Sequence, residues 1–243
     1  MFCNYSYMRI VQKVFLIIII LFFFNACFKE KKDTLIICCA GDSLMKPIPF
    51  HFRKIIDRKS HVKILNLARS GYDTGNYKDY MLRHWRDWKN KRCDYILIQL
   101  GTNDAIRIMK GKYPFIAFKQ NLYFIVRKFK EFKGNKFKNS KILIASVPPV
   151  YFGKFGDEVN NLIREKINPA IKEIAEKERI FFVDNYSKLN GKINFYDKDG
   201  VHPNHEGEIL LAKNWLFSIK ITLRQFRRLG KLRQEDRTSN PDL

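Results

Sequence analysis

Short runs of nearly continuous apolar residues alternate along this chain with longer stretches in which apolar side chains recur every three or four positions. The runs are Thr34 to Ala40, Val62 to Leu67, Tyr95 to Leu100, Ile142 to Val147 and Ile180 to Val183. They are short, rich in β-branched residues and apolar at successive positions, as strands are when both faces of a parallel sheet are covered. The intervening stretches predict amphipathic helices at about Phe50 to Arg58, Asn76 to Trp88, Phe115 to Phe132 and Glu158 to Lys177, with another at Asn204 to Phe217. The alternation predicts an α/β fold, a three-layer α/β/α sandwich around a mostly parallel five-stranded sheet. No internal repeat or low-complexity segment interrupts it.

The pattern changes at both ends. Arg9 and Lys13 precede the apolar run Val14 to Phe24, and Asn25-Ala26-Cys27 and then Lys29, Lys31 and Lys32 follow it. A charged start, a short apolar segment and a small residue before a cysteine are the parts of an export signal. The run is shorter than the roughly 18 residues of a membrane-spanning helix. Phe24-Asn25-Ala26-Cys27 resembles a loose bacterial lipobox, in which Cys27 would receive the lipid; Asn25 departs from the small residue usual there, and Met8 offers an alternative start. The expected organisation is a signal peptide of lipoprotein type over 1–26, a charged linker over 27–33, the α/β domain over 34–218 and a basic extension over 219–243. That extension carries Lys220, Arg224, Arg227, Arg228, Lys231 and Arg233.

Composition refines this picture. With 46% hydrophobic and 14% aromatic residues in 243, the chain can bury one substantial core, and disorder is excluded as its general state. The formal net charge of +22 favours anionic neighbours. Because the basic residues are dispersed along helical stretches instead of forming a nucleic-acid module, a nucleic-acid partner is not indicated. The five cysteines make no disulfide framework: Cys3 lies in the leader, Cys27 is the lipidation candidate, and Cys38, Cys39 and Cys93 read as small buried hydrophobes. No spacing resembles a zinc site, so neither a metal nor another cofactor is expected.

Four short polar stretches fall at strand ends or in the last loop. Gly41-Asp42-Ser43-Leu44 ends the first strand, Asn66-Leu67-Ala68-Arg69-Ser70-Gly71 the second, and Gly101-Thr102-Asn103-Asp104 the third, while Asp199-Gly200-Val201-His202-Pro203 precedes the last helix. Singly, each is ordinary turn and helix-cap chemistry. In this order, at the edge of a sheet where loops reach ligands, they resemble the four blocks of the SGNH (GDSL-type) hydrolase family, over about Thr34 to Phe217.

The resemblance implies a flavodoxin-like sheet and a serine esterase. It implies Ser43 as nucleophile, His202 as base and Asp199 as the group orienting the imidazole, with an oxyanion hole made by the Ser43 and Gly71 backbone N–H groups and the Asn103 side chain. The chemistry needs these types together: a serine hydroxyl requires an adjacent base, and the tetrahedral intermediate requires donors aimed at its oxygen. Ala68 stands where many relatives carry a second glycine. Asp42 and Asp104 read as loop-shaping residues, and His51, His61, His84 and His205 as structural or surface residues, His205 being the nearest to a site neighbour. The loop Pro148 to Phe155 either borders the pocket or packs on the domain.

The implied activity is hydrolysis of an acyl ester, first of all an O-acetyl group on a carbohydrate or cell-envelope glycan, by an exported enzyme anchored at the membrane. Lipid or lysophospholipid hydrolysis, O-acyl transfer to a glycan, and a non-catalytic basic surface-binding protein are the alternatives.

Overall fold

The computed structural model describes residues 34–56, 61–134 and 139–239, without the side chains of Lys154 and of residues 225–239. The expected leader, Cys3, the lipidation candidate Cys27 and the linker lie outside the described residues. Five parallel strands form one sheet in the order β2-β1-β3-β4-β5: β1 Leu35–Gly41, β2 Val62–Asn66, β3 Tyr95–Gln99, β4 Lys141–Ala145 and β5 Phe181–Val183. Each lies within a residue or two of its apolar run, because the runs are the buried middle of the sheet.

Helices α1 (Ile48–Ile55), α2 (Thr74–Trp88), α3 (Thr102–Met109) and α4 (Phe115–Phe129) connect the first four strands. Beyond β4 come α5 (Gly153–Leu162), a π turn over Ile163–Ile167 and α6 (Asn168–Lys177), and beyond β5 the short α7 (Tyr186–Leu189) and the long α8 (His205–Ser239). Alternation along the strands divides the core in two. Cys38, Ala40, Ile96 and Ile98 pack with Tyr77, Met81, Phe118 and Leu122 on one face. On the other, Ile37, Cys39, Tyr95 and Leu97 pack with Ile48 and Phe52 of α1 and Leu211 and Trp215 of α8. This is the three-layer sandwich that the periodicity predicts.

Three expectations differ from the structure. The expected single helix Glu158 to Lys177 starts earlier and widens into the π turn just ahead of Pro169, whose ring cannot donate to the preceding turn. The boundary expected after residue 218 corresponds to no break, since α8 continues through it and Ile219 and Thr222 are buried, Thr222 Oγ1 lying 3.2 Å from the Tyr95 hydroxyl. Cys38 and Cys93, read from sequence as unpaired hydrophobes, form a disulfide with Cα atoms 5.8 Å apart. Strand order explains the pairing. Cys38 and Cys39 do face opposite sides of β1, but β3 returns beside β1 and brings Cys93, two residues ahead of Tyr95, to the Cys38 face. Cys39 stays a buried free thiol.

Candidate active site

Strand β1 has β2 on one side and β3 on the other, and connections leave it in opposite directions. Such a switch point opens a crevice at the carboxyl edge of the sheet. The chain emerging from β1 there is held from both sides: the Asp42 N–H donates to the Gln99 carbonyl at 3.1 Å, and the Arg69 N–H to the Gly41 carbonyl at 2.8 Å. Asp42 Oδ1 accepts the Leu44 N–H at 2.9 Å, folding residues 42–44 into a tight turn with half-buried Ser43 at its apex. Asn66 braces the next residues, its Nδ2 donating to the Lys46 carbonyl at 3.0 Å while its Oδ1 accepts the Ala68 N–H, also at 3.0 Å.

The facing loop is shaped around Asp199. Asp199 Oδ1 accepts the backbone N–H groups of Val201 at 2.8 Å and His202 at 2.9 Å. Gly200 has a φ of +66°, and a Cβ there would overlap the Tyr151 carbonyl, with which the loop pairs through the Tyr151 N–H to Gly200 carbonyl bond at 2.5 Å. Only glycine fits that approach. Asn204 then caps α8, accepting the N–H groups of Glu206 and Gly207, both at 3.1 Å.

These loops bring the three expected reactive side chains into one chain of hydrogen bonds. His202 Nε2 lies 2.9 Å from Ser43 Oγ, and His202 Nδ1 lies 2.6 Å from Asp199 Oδ2. With Asp199 ionised, Nδ1 carries the proton and donates it to the carboxylate, which leaves Nε2 to accept the serine O–H. Partial burial works against the Asp199 charge, but the hydrogen bonds from the His202 ring and from two backbone N–H groups outweigh it and hold the carboxyl below its ordinary range.

The donor residues converge on the same place. Ser43, Gly71, Asn103 and His202 line one cavity of about 540 Å3, together with Lys46, Pro47, Ser70, Asp197, Pro203 and Glu208. One N–H of the Asn103 amide donates to the Tyr72 carbonyl at 3.1 Å, which orients the group and leaves its second N–H for a ligand. Gly71 is exposed with a φ of +76°, and a Cβ would meet nothing within 4 Å, so the left-handed backbone accounts for glycine there, not crowding by the protein.

Beneath this surface lie two carboxyls of a different kind. Asp104 accepts the Thr74 hydroxyl at 2.6 Å and the Thr74 N–H at 3.0 Å, tying the start of α3 to the start of α2. Asp42 has its Oδ2 buried without a hydrogen-bond partner among the described residues. Desolvation pushes each of them up to about 7, against the hydrogen bonds each accepts.

Sequence reasoning did not select Lys46, Asp197 or Glu208, which reach the cavity from loops and from α8. The loop Pro148 to Phe155 contributes no residue to it. Its two prolines cannot donate, and its flanks are clamped instead by Asn168, which accepts the Val147 N–H at 2.7 Å, and by Asn160, which accepts the Val150 N–H at 2.7 Å. The loop packs on the domain and supports Gly200. His84 bonds the Tyr80 carbonyl at 2.9 Å on α2, away from the cavity. No helix among the described residues is long and apolar enough to cross a membrane.

Comparison with known proteins agrees with this fold. The profile of the GDSL-like Lipase/Acylhydrolase family matches residues 39–208. An N-acylneuraminate cytidylyltransferase of Escherichia coli O18:K1:H7 is 25% identical over 158 residues, which are 64% of this chain and 35% of that protein. A multidomain esterase of Ruminococcus flavefaciens is 28% identical over 130 residues, 52% of this chain and 16% of that protein. The chain thus spans only a minor part of the curated relatives it matches. Among solved structures, an acetylxylan esterase of Geobacillus stearothermophilus superposes with a TM-score of 0.59 at 19% identity, covering 77% of this chain and 96% of that one.

Proposed function

The chain belongs to the GDSL-like lipase/acylhydrolase family, and on that premise we propose that it is a serine ester hydrolase that removes O-acetyl groups from a carbohydrate through an acyl-serine intermediate. The observation that carries the reading is the hydrogen-bonded series Ser43–His202–Asp199 at the wall of a cavity of about 540 Å3. The serine oxygen attacks the ester carbonyl carbon while its proton passes to His202 Nε2. The carbonyl oxygen, now an anion, takes hydrogen bonds from the Ser43 and Gly71 N–H groups and the Asn103 amide. Collapse breaks the bond to the alcohol oxygen, which leaves with the proton from His202. Water then attacks the acyl-serine, its proton passes to His202, and the carboxylic acid departs as Ser43 regains its hydrogen.

The lining carries groups suited to a polar alcohol. Besides Gly71, its apolar members are only Pro47 and Pro203, whereas Lys46, Ser70, Asp197 and Glu208 supply groups that a sugar's hydroxyls can bond. The relative named as a multidomain esterase and the fold neighbour named as an acetylxylan esterase fit this direction. Export to the cell envelope, with a lipid on Cys27, is part of the same reading, supported by the leader pattern and by the Cys38–Cys93 bond, which persists in oxidising compartments.

The test compares acetyl with octanoyl p-nitrophenyl esters, and then an O-acetylated oligosaccharide, using the full chain and Ser43→Ala. Preference for acetyl, release of acetate and loss of turnover in the variant are expected. Preference for octanoyl turns the reading towards lipid esters, and equal activity in the variant removes Ser43 from the mechanism. Fractionation of cells expressing the wild type and Cys27→Ala tests the anchor, the variant being expected to leave the membrane fraction.

A further inference from the structure

We propose that His51, His205 and Glu208 form a binding site for zinc, or a similar borderline divalent cation, that shares Glu208 with the wall of the Ser43 cavity. Their ligand atoms all lie within 4.8 Å of one another. His51 is buried on α1 at 1% exposure, and its Nε2 sits 2.7 Å from Glu208 Oε2. His205 and Glu208 lie one turn apart on α8 and so share a face, and the His205 ring leans on that of His51 with centroids 5.2 Å apart.

Two imidazoles and a carboxylate form a borderline donor set, and three protein ligands with a free fourth position are the arrangement of an open zinc site. Ligand atoms around tetrahedral zinc stand about 3.3 Å apart. The His51–Glu208 contact therefore opens by roughly half an ångström on chelation, and the exposed His205 swings in by a change of rotamer. A hydrogen bond between His51 and Glu208 alone accounts for two of the three groups. It gives no reason for a second imidazole at the same spot.

The position makes the site consequential. Glu208 belongs to the cavity wall, so a bound cation cancels its charge there. His205 follows His202 by three residues, so the cation also fastens the first turn of α8, directly behind the catalytic loop, to α1. No ligand spacing announces the site, because His51 and Glu208 are 157 positions apart.

His202, Asp199 and Asp197 are the nearby groups that could capture zinc instead, and the experiment separates them. The full chain in detergent, stripped with a chelator, is titrated with zinc by calorimetry and with cobalt(II) by visible absorption. One equivalent is expected to bind, with cobalt giving the intense bands of a four- or five-coordinate site. His205→Ala and Glu208→Ala should each weaken binding at least about tenfold to a hundredfold, and His202→Ala should leave it unchanged. A hundredfold excess of zinc over its Kd should raise Tm by roughly 5 to 10 °C in the wild type and not in His205→Ala, whose exposed position spares the fold. Lack of saturable binding overturns the proposal, as does binding that survives both helix variants or is lost in His202→Ala. None of these readouts depends on ester turnover.

Discussion

Asp199 and Asp42 both serve Ser43, one through the His202 ring and the other through the peptide bond, and their carboxyls sit in opposite electrostatic settings. Asp199, half-exposed, receives hydrogen bonds from an imidazole and two backbone N–H groups and is held ionised. Asp42 is fully buried, receives the Leu44 N–H on one oxygen and, among the described residues, nothing on the other, and is pushed up to about 7, as is its neighbour Asp104. One residue type thus does two jobs. On the rim its charge is placed to stabilise a protonated His202; under the turn its shape and one accepted hydrogen bond fix the backbone that carries Ser43.

The largest effects should come from breaking the rim. Ser43→Ala and His202→Ala are each expected to lower kcat by about 10³ to 10⁶ with circular dichroism unchanged, measured on a short-chain ester. Asp199→Asn keeps the shape but removes the charge that orders the tautomer, and should cost about 10² to 10⁴ in kcat. Asn103→Ala removes one oxyanion donor and should cost about 10² to 10³, read in kcat more than in KM.

The smallest effect probes the buried side of the comparison. In the unfolded chain these two carboxyls lose their protons near pH 4, whereas in the native protein they keep them to about pH 7. Between those values the native state binds more protons, so stability should fall as pH rises through the window and level off above it. The slope is at most about 1.4 kcal/mol per pH unit for each group. Asp42→Asn should flatten the slope in urea melts taken across that range, whereas Asp199→Asn, whose native carboxyl is already ionised there, should leave it in place.

The strands and the rim were legible in the sequence for a shared reason. A buried parallel strand must be apolar throughout, and the small polar stretches that follow it stand out by contrast; it is the resemblance of those stretches to the SGNH blocks that points to Ser43, Gly71 and Asn103, which the structure brings to one cavity. What escaped depends on strand order or helix contact. The Cys38–Cys93 pairing needs β3 to lie beside β1, and the His51–Glu208 pair needs α1 to pack on α8. The start of α5 was missed because Gly153-Lys154-Phe155-Gly156 carries no helical periodicity. The part of Asn160 and Asn168 in clamping a proline-rich loop is likewise invisible until the loop is folded against them.

The Cys38–Cys93 bridge makes durability a matter of surroundings. It closes a stretch of 55 positions that contains both the Ser43 turn and Gly71, and a loop of that size limits the unfolded chain by about 4 kcal/mol. Wherever thiols are kept reduced, a copy of this protein forgoes that tether and is the readier prey of proteases. Survival is thereby weighted towards oxidising territory without any switch in Ser43, His202 or Asp199 themselves.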